Sequence, residues 1–247
     1  MSDPHRLARR MAKRVEAIAD PAMRVKYLQH TLARMSPGTI ADLVTVAVHG
    51  AEARDGSQGA LLLALCLALA QEDSAELRAA VVREALTQGQ HDTASLLQPR
   101  PPARASEEPL AVPDFGRGRA LTLGERKSLA RGRDRDLLAR VLRDPHPDVI
   151  RILLGNPALT EDDVLRLVAQ RPVAPEVLRE VFRSTRWIVR YRVRRAIVKN
   201  PFSPVDVAVQ LATLLNAQDA RTVVESAELS PPVRDAARRV AGLATLH

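Results

Sequence analysis

The sequence predicts an all-α fold: an α-solenoid of repeated helical pairs, preceded by an N-terminal helical region and joined to it by a Pro-rich linker. Three observations carry the expectation. Apolar residues make up 46% of the 247-residue chain but aromatics only 2%, so the interior is built from Leu, Val, Ala and Ile. That composition suits helix packing better than sheets rich in aromatic and β-branched side chains, and no stretch shows a convincing period-two alternation. From residue 120 onward the chain also repeats itself. VIRILLGNP (149–157) aligns with VRRAIVKNP (193–201) at an offset of 44, and SPPVRDAARRVA (230–241) restates the pattern at an offset of 40. A period of about 40–44 residues with two helices per unit is the spacing of stacked helical repeats.

The elements follow in order. Asp3-Pro4 and Asp20-Pro21 place an N-cap before a proline at the first helical position, where the missing N–H is harmless. Ser36-Pro37-Gly38 separates the next pair of helices, and Asp55-Gly56-Ser57 breaks the chain before the apolar run Ala60–Ala70. A helix from about Ser74 to Leu86 has Leu77, Val81, Val82 and Leu86 at core-facing spacing, and Gly89 stops it before a short helix to Leu97. Residues 99–116, PRPPARASEEPLAVPDFG, are too rich in Pro for a helix and too poor in bulky apolar groups for a core, so they read as a semi-rigid linker. The predicted division is 1–98, 99–119 and 120–247. Within the last part, Thr160 and Asp163 form a capping box, and Glu161, Asp162 and Asp163 favour the positive end of the helix dipole.

The phrases LRDPHPDVIRILLGNPALTEDDVL and LSPPVRDAARRVA resemble HEAT-like repeats, and specifically the bacterial leucine-rich repeat variant; the likeness covers about 120–247. The resemblance implies an α-solenoid. Proteins of the repeat-variant kind can carry a cysteine-bound iron–sulfur cluster, which a chain with one Cys lacks the ligands to hold.

Chemistry is sparse along the sequence. Cys66 is alone in an apolar run, which leaves no intramolecular disulfide and reads as a small buried hydrophobe. The His at 5, 30, 49, 91, 146 and 247 show no i, i+3 or i+4 pairing, so no metal site is expected. His146, between two prolines, reads as a turn residue. No GxSxG, phosphate loop or dinucleotide fingerprint occurs, and no catalytic residue or cofactor is expected. The N-terminus lacks a continuous apolar stretch of the signal-peptide kind. The 11-residue Ala60–Ala70 run spans about 16 Å as a helix, roughly half a bilayer core. A soluble cytoplasmic protein is the expectation.

Charge supplies the one candidate site. Residues 183–199, RSTRWIVRYRVRRAIVK, hold seven basic and no acidic side chains, in a protein of net charge +8. They also contain the only Trp, Trp187, and one of the two Tyr, Tyr191. Read as one helix from about Thr185 to Lys199, the segment turns Val189, Val193, Ala196 and Ile197 to the core and Trp187, Tyr191 and Val198 away from it. Arg192, Arg195 and Lys199 then line one side of the outer face, and Arg190 and Arg194 the other. Arg186, Trp187, Arg190, Tyr191, Arg192, Arg194, Arg195 and Lys199 form the candidate partner-binding set, since Arg and Trp dominate interface hot spots. In the first copy, Arg190, Arg192 and Arg194 correspond to His146, Asp148 and Ile150, so the repeat itself does not demand their charge.

An ordinary structural account stands beside this one. Trp187 and Tyr191 pack against the next repeat, while the arginines pair with Glu161, Asp162, Asp163, Glu176 or Glu180. Of two weaker basic stretches, Arg117–Arg135 reads as a solvated helix start, and the cluster Arg6, Arg9, Arg10, Lys13 and Arg14 reads as a polar surface stripe, with contact to nucleic acid or membrane as its alternative. The functional expectation is a non-enzymatic adaptor that binds an acidic protein surface through the basic face, with nucleic acid as the alternative partner of the same face.

Overall fold

The structure, a computed structural model, describes residues 3–243. The predicted domain ends at 1–2 and 244–247, with His247, lie outside the described residues. Among those residues the fold is all-α, with sixteen α-helices and no strand. The first six are α1 (Pro4–Ala17), α2 (Pro21–Leu32), α3 (Pro37–Glu52), α4 (Gly56–Ala70), α5 (Ala75–Thr87) and α6 (His91–Leu97). Next come α7 (Leu123–Leu129), α8 (Arg135–Val141), α9 (Pro147–Leu154), α10 (Glu161–Val168) and α11 (Pro175–Arg183). The last five are α12 (Thr185–Ile188), α13 (Tyr191–Val198), α14 (Val205–Ala212), α15 (Ala217–Val224) and α16 (Pro231–Val240).

Local sequence accounts for the helix starts. Asp3, Asp20, Ser36 and Asp55 each accept a backbone N–H of the first turn, and Pro4, Pro21 and Pro37 open their helices. Each such cap contributes about 1 kcal/mol. Gly89 ends the α5 region with a positive φ of 71°, a backbone state that a Cβ would strain.

The chain forms two compact units, and they do not follow the boundaries 1–98, 99–119 and 120–247. One unit combines Met1–Arg100 with Val205–His247; the other is Pro101–Pro204. The final predicted repeat thus belongs with the N-terminal helices. The cause is visible in α14, whose eight residues are all buried. A helix buried on every face needs cover all round, and α4, α6 and α16 provide it. Polar contacts add to this packing: Gln210 Nε2 donates to Leu96 O at 2.7 Å, and Arg239 Nε donates to Glu52 Oε1 at 2.6 Å.

At the centre of this unit lies α4, buried along nearly its whole length and touched by α1, α2, α3 and α5. The close approach of α3 depends on Gly50, where a Cβ would stand 2.5 Å from Gln58 Cβ. No helix among the described residues is long and apolar enough to cross a membrane.

In the Pro101–Pro204 unit the Pro-rich stretch is packed rather than free. Arg104 N donates to Pro201 O at 3.0 Å, Pro102 bridges Pro204, Phe115 is buried, and Arg140 Nη1 donates to Asp114 O at 3.1 Å. Prolines supply no donors, so the segment is held mainly through its neighbours' N–H groups and one aromatic anchor.

The aligned repeats share one device. Asn156 Nδ2 donates to Ala130 O at 2.8 Å and Gly132 O at 2.7 Å, and its Oδ1 accepts from Ala158 N at 2.9 Å. Asn200 Nδ2 donates to Val168 O at 2.8 Å and Gln170 O at 3.0 Å, and its Oδ1 accepts from Phe202 N at 3.0 Å. Each buried amide thereby closes the end of an earlier helix, α7 for Asn156 and α10 for Asn200, with donors and acceptor all used. The Asn-Pro of the sequence repeat is a structural clamp.

Candidate functional site

The basic segment 183–199 is not one helix. The chain turns between α12 and α13, with Arg190 extended (φ −80°, ψ 121°) at the start of α13. Such a break resets the helical phase, and that overturns three face assignments. Trp187, expected to face away from the core, is 1% exposed, whereas Val189, expected in the core, is 38% exposed. Val198, also expected outside, is buried. The indole has a fixed role, since Trp187 Nε1 donates to Leu154 O at 2.8 Å. Trp187 therefore leaves the set of accessible contact residues; it is the anchor that seats α12 against α9.

The arginines divide by what they bind. Arg186 Nη1 donates to Asn156 O at 2.9 Å, and its guanidinium lies 4.4 Å above the Trp187 ring. Arg194 Nη1 donates to Val189 O at 3.1 Å, capping the end of α12, and its Cζ lies 5.6 Å from the Tyr191 ring. Burial pushes the Arg194 guanidinium below its ordinary pKa. Arg194 thus satisfies a carbonyl that the turn after α12 leaves open, while Arg186 ties α12 to the loop after α9.

Two others meet the acidic start of α10. Arg190 pairs with Glu161 at 2.8 Å, and its Cζ lies 5.3 Å from the centre of the Trp187 ring. Arg192 approaches Asp162 at 3.5 Å and Glu161 at 3.9 Å. Both arginines remain solvent-facing, as does Arg195, while Tyr191 and Lys199 are half-buried. The ordinary account gives the pairing of Arg190 and Arg192 with Glu161 and Asp162, and Trp187 is buried, although its indole bonds back to α9 and not to a following repeat. What stays accessible of the predicted set is a row of guanidiniums.

The unit is also laced by ion pairs, most of which join residues far apart in sequence. Arg126 Nη1 donates to both Asp144 oxygens, at 2.6 and 2.8 Å, with both residues buried. Arg151 Nε and Arg183 Nη1 converge on buried Glu180 at 2.8 and 2.9 Å. Arg135 Nη2 meets both oxygens of buried Asp163 at 3.0 Å, while Thr160 and Asp163 complete the predicted capping box. Burial alone would raise the Asp163 pKa, yet the hydrogen bonds from Thr160 and Arg135 hold it below the usual carboxylate value. His146 takes the N-cap of α9, its Nδ1 accepting from Asp148 N at 3.2 Å.

Elsewhere, Cys66 is a buried free thiol, and burial raises its pKa. Among the described residues no group of His, Cys, Asp and Glu could hold a metal ion. No family model, curated protein or solved structure matches the chain.

Proposed function

We propose that the protein is a non-enzymatic adaptor, a solenoid of HEAT-like, leucine-rich-repeat-variant type, that binds an acidic protein surface through the exposed cations of its Pro101–Pro204 unit. One observation supports this above the rest. That unit holds 21 basic and 13 acidic side chains, a net of +8, whereas the other unit holds 16 of each. The whole net charge is therefore carried by one compact body, and a field of one sign steers and selects an anionic partner. Arg190, Arg192 and Arg195 present that charge to solvent. The pairs that hold Arg190 and Arg192 are surface pairs worth about 0–1 kcal/mol, so a partner's carboxylates can replace Glu161 and Asp162 at little cost. The two Asn-Pro clamps, alike in geometry, support the repeat assignment. In this reading the adaptor works in the cytoplasm, where a single free thiol is ordinary.

The test is affinity capture from lysate with the chain and with Arg190→Glu/Arg192→Glu/Arg195→Glu. Loss of a specific acidic protein is expected, and retention of every partner by the triple variant would refute the surface. Nucleic acid is the second reading for the same cations. Burial of Trp187 removes its ring from base stacking, which leaves phosphate contact alone. Phosphate contact demands an affinity that falls steeply with salt, and a duplex titration across salt concentrations checks it.

A further inference from the structure

The unit of Met1–Arg100 and Val205–His247, neutral overall, holds a cleft of a different character. α1 and α2 both rest on α4, and α1 also packs on α3, yet α1 and α2 make little contact with each other. The gap between them, lined also by Thr39 and Asp42 of α3, is a cleft of about 790 Å³, within the roughly 300–1,000 Å³ of small-molecule sites. Leu7 and Met11 of α1, Tyr27 of α2 and Met35 beyond it make its wall largely apolar. Met11 is buried and the other three are half-buried, so the cleft offers dry surface to an occupant.

Three guanidiniums line the same cleft: Arg10 and Arg14, one turn apart on α1, and Arg34 just after α2. All three are exposed. Among the described residues none of them has a hydrogen bond or ion pair, in contrast to Arg186, Arg190, Arg192 and Arg194 in the other unit. The one carboxylate lining the cleft, Asp42, already accepts from Gln90 Nε2 at 2.7 Å. An apolar wall beneath three uncommitted guanidiniums matches a ligand with an apolar body and an anionic head, because guanidinium binds a carboxylate in a directed, charge-assisted way.

We propose that the α1–α2 cleft is a binding site for a small amphipathic anion, an aliphatic or aromatic body carrying one carboxylate or a similar acidic head. The site is independent of the acidic-protein surface described above. The body lies along Leu7, Met11 and Met35, and the head meets Arg10, Arg14 and Arg34.

Isothermal titration of the full chain with dodecanoate, dodecan-1-ol and acetate tests it. Dodecanoate should saturate a single site, with the alcohol and acetate each at least about tenfold weaker, since neither supplies both parts of the contact. Arg10→Ala/Arg14→Ala/Arg34→Ala should weaken dodecanoate by about tenfold or more, and the corresponding triple Lys variant, which keeps the charge but not the planar fork, should bind with an affinity between the two. These side chains are exposed and unpartnered, so far-UV circular dichroism should be unchanged, and Arg14→Gln alone should shift affinity in the same direction. Equal binding by the triple Ala variant, an alcohol that binds as tightly as the acid, or no saturable heat would each overturn the site. Arg190→Glu/Arg192→Glu should leave dodecanoate binding intact; its loss there would move the anion to the other unit and overturn the proposal as well. Should the triple Ala variant lose an acidic protein partner while dodecanoate binding persists, the cleft is a docking surface and not a small-molecule site.

Discussion

Replacing Asn200 by Ala should be among the most damaging single changes in the Pro101–Pro204 unit. The side chain is 2% exposed and makes three hydrogen bonds, to Val168 O, to Gln170 O and from Phe202 N. Val168 O lies at the end of α10, and the residue that would normally donate to it in a continuing helix is Pro172, which has no N–H. Its removal leaves Val168 O and Phe202 N buried without those partners, at about 1–3 kcal/mol each, and the half-buried Gln170 O adds up to about 1 kcal/mol. The sum is about 2–7 kcal/mol, centred near 4, a large fraction of the roughly 5–15 kcal/mol that stabilises a typical domain. With a urea slope of about 2 kcal/mol per molar, the unfolding midpoint should fall by about 2 M. Trp187 is the only tryptophan and is buried in the same unit, so its fluorescence reports the transition. Asn156→Ala should behave alike, while Asn216→Ala, at the exposed N-cap of α15, should cost only about 1 kcal/mol. If Asn200→Ala and Asn156→Ala both shift stability by less than about 0.5 kcal/mol, the clamps do not hold the repeats and the sequence repeat has another cause.

Four further outcomes are expected. Arg126→Ala should destabilise by about 3–5 kcal/mol, because it strands the buried Asp144 carboxylate, whereas Arg126→Met/Asp144→Leu should recover much of the loss in the same urea assay. Cys66 should resist a thiol-reactive probe in the native protein and react on unfolding, since burial both shields the thiol and raises its pKa. The Asp163 carboxyl is held below its ordinary pKa in the fold, so its stabilisation is fully present above an unfolded-state value of about 3.9 and is lost as pH falls through the lower folded value. Acid titration followed by Trp187 fluorescence should show this loss, and Asp163→Asn should flatten that part of the profile. Gly50→Ala should destabilise the other unit measurably by circular dichroism, because its Cβ forces α3 away from Gln58 on α4.

Features whose cause is local were legible in the sequence. Asp3-Pro4, Asp20-Pro21 and Ser36-Pro37 define helix starts through side chains that reach only two or three residues, and the Thr160–Asp163 capping box is equally short in range. The Asn-Pro repeat was visible as a pattern, although the clamp it builds joins residues 24 to 32 positions apart. The candidate site was harder to read because one break at Arg190 changes which side chains share a face. Periodicity assumes an unbroken phase, and Trp187 and Val189 exchange places once that assumption fails. The association of Val205–Ala212 with α4 and α6 was hidden for another reason. A helix with few polar side chains announces that it is covered, not by what.

The same distinction between local and summed quantities separates the two candidate binding regions. Net charge identifies the Pro101–Pro204 unit, and net charge governs the long-range field that steers a partner over roughly a Debye length. At contact distance the sum no longer decides. There Arg186 and Arg194 are committed to carbonyls, and Arg190 and Arg192 must first release Glu161 and Asp162. The cluster Arg10, Arg14 and Arg34 is invisible in the net charge of its neutral unit, yet it meets a ligand without breaking any existing pair. Salt should therefore slow capture of an acidic protein by the first surface far more than it weakens a small anion in the α1–α2 cleft, where apolar burial supplies part of the affinity and is insensitive to screening. A comparable loss of both with salt would mean that the cleft binds through charge alone, and that its apolar wall contributes nothing to recognition.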